Sequence, residues 1–302
     1  MSLSFCVLGS GSSGNCTLVI CDDHAGDNGS DGRWCILIDA GLSPRTTARR
    51  MKPLGVKLHE IRAVLLTHLD HDHFHCGWLR AIERYRLPMR IHVHQRHRNA
   101  AWHAGLTMRC SDLFTGAFEL EPSRSVRSFL CAHDDLGSVG FVIEHAGLRL
   151  GYATDLGRVP DALFEHFDDL HALAIESNYD RNMQVSSGRP TFLKRRIMGG
   201  VGHLSNEQAL EAVRRIDSRS RLSHVALLHL SRECNDPELV RQLYRRQAPQ
   251  LVERLTITHH RHPSAVLKVT AAAAKPSRES ASIPIQLSLF EAFQAAGSPV
   301  AT

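Results

Sequence analysis

The stretch Thr67-His68-Leu69-Asp70-His71-Asp72-His73-Phe74-His75-Cys76-Gly77 places three histidines and two aspartates in the six residues 68–73. Imidazole nitrogens and carboxylate oxygens at one- and two-residue spacing can converge on metal ions; imidazole suits zinc, and added oxygen shifts preference towards manganese or iron. The block starts where an apolar run, residues 61–66, ends, and it closes at a glycine. That run reads as a buried strand, so the block is a loop leaving it. So many polar groups at a strand terminus need a purpose, because burying them without partners is costly. A solvated histidine-rich loop is the plain alternative.

The elements that must position such a loop are further strands. Phe5-Cys6-Val7-Leu8 reads as the first, followed by Gly9-Ser10-Gly11-Ser12-Ser13-Gly14-Asn15. This Gly-Ser loop could cradle a phosphate through backbone amides. It lacks the lysine of a P-loop, however, and Cys16-Thr17-Leu18-Val19-Ile20-Cys21 returns at once as a strand, so a tight hairpin is the favoured reading. Residues 22–32 form a polar, Gly-rich insertion. Residues 34–38 are a strand ending at Asp39-Ala40-Gly41. Asp39 there could cap a turn or orient metal ligands from behind. Residues 78–85 read as a helix, 89–93 as a strand, and 95–109 as a helix or lid. His92, His94, His97 and His103 are expected on the surface, and His71 and His75 as loop residues.

Four more apolar runs end in a polar residue: His133, Asp155, Glu176 and His229. Residues 139–144 and 148–153 pair as a hairpin across His145-Ala146-Gly147. In layered α/β architectures sites gather at strand ends, where loops meet on a rigid scaffold. His203 precedes a helix whose Ser205 and Gln208 make a capping-box pattern. A helix N-terminus favours anions such as phosphate; the alternative is a histidine that only packs against the cap. Asp236-Pro237 has the N-cap and first-turn chemistry of another helix.

The rest of the composition sets bounds. The chain has 302 residues, 43% hydrophobic and 22% charged, which suits an ordinary soluble globular protein. No apolar run is long enough for a membrane helix, and no positive charge precedes an apolar core at the N-terminus. Eight cysteines occur singly, several within strand-like runs, which predicts reduced, buried thiols and a cytoplasmic protein. The net charge of +5 mildly favours polyanionic partners.

The block at 68–73 resembles the metallo-β-lactamase superfamily signature His-x-His-x-Asp-His. His68, Asp72 and His73 match its first, fifth and sixth positions, and Asp70 stands where the family usually has histidine. The Gly-Ser loop, Leu37-Ile38-Asp39-Ala40-Gly41, His133-Asp134, Thr154-Asp155-Leu156-Gly157, Glu176-Ser177-Asn178-Tyr179-Asp180, Gly202-His203-Leu204-Ser205-Asn206 and Leu228-His229-Leu230-Ser231 follow in order. Together they resemble the YycJ/WalJ-type exonuclease-like branch, over about residues 5 to 240.

The resemblance implies an αβ/βα four-layer sandwich of two mixed sheets flanked by helices, spanning residues 1–268. It implies two divalent ions, zinc or manganese with iron as a further option. His68, Asp70 and His133 would hold one, and Asp72, His73 and His229 the other. Asp155 would bridge both, with Asp39 and Glu176 behind the ligands. Asp72 and His203 are the candidate catalytic residues. Two such cations can activate a shared water and neutralise charge on a phosphate, and His203 would bind the phosphate or protonate the leaving oxygen. The branch points to a DNA exonuclease in repair or replication. The alternatives are a small-molecule hydrolase acting on a thioester or cyclic phosphodiester, and a non-catalytic clamp-associated module. Lys194-Arg195-Arg196 and the arginines between 241 and 254 could contact phosphates, although a solvated helix face explains them equally.

From residue 271 to 284 the composition turns to Ala, Ser, Pro and Lys, as in a flexible linker within a tail of residues 269–302. Beyond it, Gln286, Leu287, Ser288, Leu289 and Phe290 resemble the pentapeptide by which bacterial replication and repair proteins dock on the DNA polymerase sliding clamp. A short docking helix is the plain alternative.

Overall fold

The computed structural model describes residues 1–23, 32–121 and 124–271. The strands are β1 (Ser2–Gly9), β2 (Cys16–Asp22), β3 (Arg33–Ile38), β4 (Ile61–Leu65), β5 (Arg90–His94), β6 (Ser111–Phe114), β7 (Phe118–Glu121), β8 (Arg124–Cys131), β9 (Ser138–His145), β10 (Leu148–Ala153), β11 (Ala172–Glu176), β12 (His224–Leu228), β13 (Leu255–Ile257) and β14 (Leu267–Val269). They form two seven-stranded mixed sheets, ordered β14-β1-β2-β3-β4-β5-β6 and β13-β12-β11-β10-β9-β8-β7. The helices are α1 (Pro44–Met51), α2 (Gly77–Tyr85), α3 (Arg98–His103), α4 (Asp161–His166), α5 (Arg181–Ser186), α6 (Thr191–Met198), α7 (Asn206–Ser218) and α8 (Pro237–Gln247).

Alternation along the strands explains why both sheets are apolar on both faces. In β1, Leu3, Phe5 and Val7 enter a core shared with Phe141, Tyr152, Ala174 and Leu228 of the other sheet. Cys6 and Leu8, between them in sequence, face outward onto Met51 of α1 and Trp78 of α2. In β12, Ala226 and Leu228 point to the central core, while Val225 and Leu227 meet Leu210 and Val213 of α7 and Tyr244 of α8. Successive side chains point to opposite faces, so a strand covered twice reads as a continuous apolar run. The layers are helix, sheet, sheet, helix, as the resemblance implies.

Strands β3 to β6 run parallel to one another, and so do β10 to β13. Their C-terminal ends, where the polar residues sit, therefore meet along each sheet at one end. The Gly-Ser segment closes the antiparallel β1–β2 hairpin, and β9 pairs with β10 across Ala146-Gly147. The capping box forms as spelled: Ser205 Oγ accepts from Gln208 N at 3.3 Å, and Gln208 Oε1 accepts from Ser205 N at 2.9 Å. The stretch 95–109 is not one helix. A 3-10 turn, Gln95–His97, precedes α3, which stops near Gly105 at φ 86.

β14 pairs with β1 through Val269, so strand pairing runs one residue past the expected boundary at 268. The segment 286–290 lies outside the described residues. Among the described residues no helix is long and apolar enough to cross a membrane. Cys6, Cys16, Cys21, Cys35, Cys131 and Cys234 are free, buried thiols.

Candidate metal centre

Most of the converging side chains stand at or just beyond strand ends, while His203 precedes α7. Three of them, Asp39 after β3, Asp155 after β10 and His229 after β12, share one backbone state, with φ of 59°, 54° and 56°. A non-glycine residue in this left-handed region costs about 1–3 kcal/mol and persists only where its surroundings enforce it. Here the strained turn swings each side chain from the strand end towards a common point. The loop after β4 wraps the same point: His73 N and Phe74 N both donate to Asp70 O, at 2.8 and 2.9 Å.

Among the described residues the converging atoms form four overlapping donor groups, each spanning no more than 4.8 Å; Asp155, Glu176, His203 and His229 make one, and two others suit a pair of ions. One is His68, His133 and Asp155; the other is Asp72, His73 and His229. Asp155 reaches both, since its Oδ2 lies 3.0 Å from His73 Nε2 and its Oδ1 4.0 Å from His133 Nε2. Asp70 belongs with His133 and Asp134 instead, its carboxylate 3.9 Å from His68 Nε2 and largely exposed. His71, also exposed, lines the cleft but joins none of these groups among the described residues.

The histidines are held from behind. His73 Nδ1 donates to Asp39 Oδ2 at 2.8 Å, and Asp39 also accepts from Thr67 N and Thr67 Oγ1. His133 Nδ1 donates to Gly202 O at 2.9 Å. Such bonds select the tautomer whose Nε2 carries a free lone pair for a metal. Asn15, buried in the Gly-Ser loop, reaches His73 Nε2 at 2.9 Å through its side chain and Asp72 O at 2.7 Å through its amide. Ser10 Oγ accepts from His229 N at 2.8 Å.

The electrostatics call for a cation. Burial opposes charge on His73, yet Asp39 and Asp155 outweigh it and hold its pKa well above the ordinary imidazole value. Burial also opposes charge on His229, but Asp155, Asp72 and Glu176 push it up to about 10. Burial would raise the Asp155 and Asp72 carboxyls, but the neighbouring imidazoles hold both below the usual carboxylate range. His229 Nε2 is buried with no hydrogen-bond partner, and Asp72 Oδ2 lies 3.5 Å away. Mixed imidazole–carboxylate donors around an orphaned nitrogen fit divalent metal ions.

Over these groups opens a cleft of about 470 Å³. His203 is on its wall, with Nδ1 2.7 Å from Glu176 Oε1; Glu176 Oε2 accepts from Leu156 N and Leu204 N. The buried carboxylate therefore fixes the His203 ring. Two arginines also line the cleft: Arg189, which the sequence reading did not name, and Arg196 of the basic stretch 194–196. Arg189 is anchored by Glu233, Gln184 and Ser231, and Arg196 pairs with Asp134. Of the basic stretches, Arg241 and Arg245 pair with Glu238, and Arg254 with Asp217, away from the cleft. His97, expected on the surface, is only 3% exposed, because the 3-10 turn folds it inward beside the β8–β9 loop. Asn15 and Ser10 carried a signal, the polar hairpin loop, but not their direction.

A family model for the beta-lactamase superfamily domain matches residues 33–229. Exodeoxyribonuclease YycJ of Bacillus anthracis is 30% identical over 244 residues, 80% of this chain and 87% of that protein. Exodeoxyribonuclease WalJ of Streptococcus pneumoniae is 25% identical over 245 residues, 79% and 86%. The crystal structure of Zn(2+)-bound PqqB from Methylobacterium extorquens superposes with a TM-score of 0.62 at 18% identity, covering 86% of this chain and 99% of that one.

Proposed function

Since the chain belongs to the metallo-β-lactamase superfamily of hydrolases, we propose that it is a dinuclear metal-dependent phosphodiesterase, a cytoplasmic DNA exonuclease of repair or replication. The observation that carries this reading is the pair of donor groups meeting at Asp155 beneath a cleft walled by His203, Arg189 and Arg196. The names of both curated relatives support DNA as the substrate.

In this reading His68, His133 and Asp155 would hold one divalent ion, with the exposed Asp70 carboxylate nearby. Asp72, His73, His229 and Asp155 hold the other. Zinc and manganese suit the donors, and iron is a third option. Bound there, the ions supply Lewis acidity and an activated water. The chain's own part is placement. His203, with Nδ1–H committed to Glu176, offers Nε2 to the substrate and can protonate the leaving oxygen. Asp72, a partly exposed carboxylate in the cleft, orients the attacking oxygen. Arg189 and Arg196 counter the charge of phosphates entering the cleft.

The test is cleavage of end-labelled single- and double-stranded DNA and RNA by metal-free protein given manganese or zinc. Stepwise release of nucleotides from DNA is expected. Hydrolysis of a thioester or cyclic phosphodiester, with no cleavage of nucleic acid, would refute the reading. For the tail we propose that Gln286, Leu287, Ser288, Leu289 and Phe290 tether the enzyme to the sliding clamp, raising its local concentration at DNA. Deleting 286–290 should abolish clamp binding and leave hydrolysis of free DNA unchanged; unaltered clamp affinity would retire this role.

A further inference from the structure

Beside the metal cleft lies a second cavity of about 280 Å³, near the small end of ligand clefts, which start at roughly 300 Å³. It shares His68, Asp70, His133 and Asp134 with the main cleft, so an occupant of one touches the mouth of the other. Its walls are the turn and start of α3, through His97 and Ala100, and the β8–β9 loop, through Leu136 and Gly137; Leu69 lies between. Arg96 ties the walls together: Nε donates to Leu136 O at 2.7 Å and Nη2 to Asp135 O at 3.4 Å. The loop's curvature requires Gly137, whose φ is 77° and whose missing Cβ would press on Cys131 O. The cavity is therefore a built feature of two tethered segments.

His97 supplies its unexplained polar group. The ring is buried and Nε2 has no hydrogen-bond partner, which costs free energy unless something else uses it. Burial, with His94 and Arg96 nearby, lowers its pKa to about 4, so the ring is neutral and can donate at one nitrogen and accept at the other. Both cavities are lined by carboxylates, and they differ in their cations. Asp70, Asp134 and Asp135 line the side cavity, and no lysine or arginine does among the described residues. Arg189 and Arg196 line the main cleft instead. A phosphate thus finds basic side chains in the main cleft and none in the side cavity. The side cavity suits an uncharged, flat group with apolar faces against Leu69 and Leu136 and hydrogen-bond donors towards the carboxylates.

We propose that the side cavity seats the nucleobase of a nucleotide flanking the scissile phosphate, and that it favours bases carrying an exocyclic amine, adenine, cytosine and guanine, over thymine. This rests on the phosphodiesterase reading and adds a subsite to it. The base enters between His97 and Leu136 while its phosphate lies over the donor groups, which registers the strand one nucleotide at a time.

The test uses the full chain loaded with manganese and oligodeoxynucleotides carrying a normal or an abasic residue at each position flanking the first scissile phosphate. For the wild type, removing the base at one of these positions should raise KM about tenfold or more, the loss expected when a pocket loses its occupant. Ala100→Phe, which narrows the cavity from its α3 wall and replaces no metal donor, should raise KM on the base-bearing substrate by a similar factor and leave the abasic substrate unchanged. His97→Leu should weaken discrimination between cytosine and thymine, and His97→Gln should restore part of it. Equal wild-type KM with and without the base overturns the subsite, and this comparison stands even where Ala100→Phe fails to fold. An Ala100→Phe penalty equal on both substrates also overturns it. Absence of any oligonucleotide cleavage overturns the phosphodiesterase reading and the subsite together, whereas cleavage indifferent to the base overturns the subsite alone.

Discussion

The two donor groups of the metal centre hang from the same row of strand ends, yet one is held far more rigidly than the other. Both groups are largely buried, but around Asp72, His73 and His229 the ties are many: His73 by Asp39 and Asn15, the Asp72 backbone by Asn15, and the His229 backbone by Ser10. Around His68 and His133 the ties are single bonds to Thr67 Oγ1 and Gly202 O, and the nearby Asp70 side chain is 60% exposed. A preorganised donor set loses less freedom on taking up an ion. In the proposed reading the tied half should therefore be the tighter site, and the half of His68 and His133, which lines both cavities, the looser one.

The largest effect should come from the residue common to both halves. Asp155→Ala should lower turnover by about a thousandfold or more and reduce bound metal at both positions; wild-type turnover would remove Asp155 from the centre. Gly41→Ala tests the tied half through its backbone. A Cβ there would overlap Asp72 O, where Asn15 N and Gly41 N interlock the two loops, so about 1–3 kcal/mol of stability should be lost. Thermal unfolding should show this, together with loss of the tighter metal; an unchanged melting temperature would mean the loops yield freely.

Asp39→Ala removes only the carboxylate behind His73 and should weaken the tighter metal by roughly 10–100-fold, read by competition with a metal indicator. Weakening of the looser metal instead would invert the assignment of halves. Protons should compete chiefly at the tied half. His229, pushed up to about 10 by Asp155, Asp72 and Glu176, is protonated at neutral pH without metal and must lose that proton to bind. Affinity there should rise with pH, by up to roughly tenfold per unit for each proton displaced. Affinity flat between pH 6 and 9 would show that no proton is released. The smallest effect is expected for Asp70→Ala, under roughly tenfold in turnover, because an exposed carboxylate is well screened. A loss matching that of Asp155→Ala would erase the contrast between halves.

The sequence already carries what is local. The block at 68–73, the polar residues closing β8, β10, β11 and β12, and the capping box of α7 follow from spacing and periodicity, which depend on neighbours along the chain. The two-faced burial of the sheets is legible for the same reason, as continuous apolar strands. Only the tertiary structure decides which donors share an ion, because that depends on how two sheets place their strand ends against each other. It groups Asp70 with Asp134 rather than with His68, and brings Asn15 to His73 across 58 residues. It bends Asp39, Asp155 and His229 into left-handed turns and folds His97 inward against a loop about forty residues away. Contacts between distant segments are set by sheet register and packing, and no spacing along the chain encodes their direction.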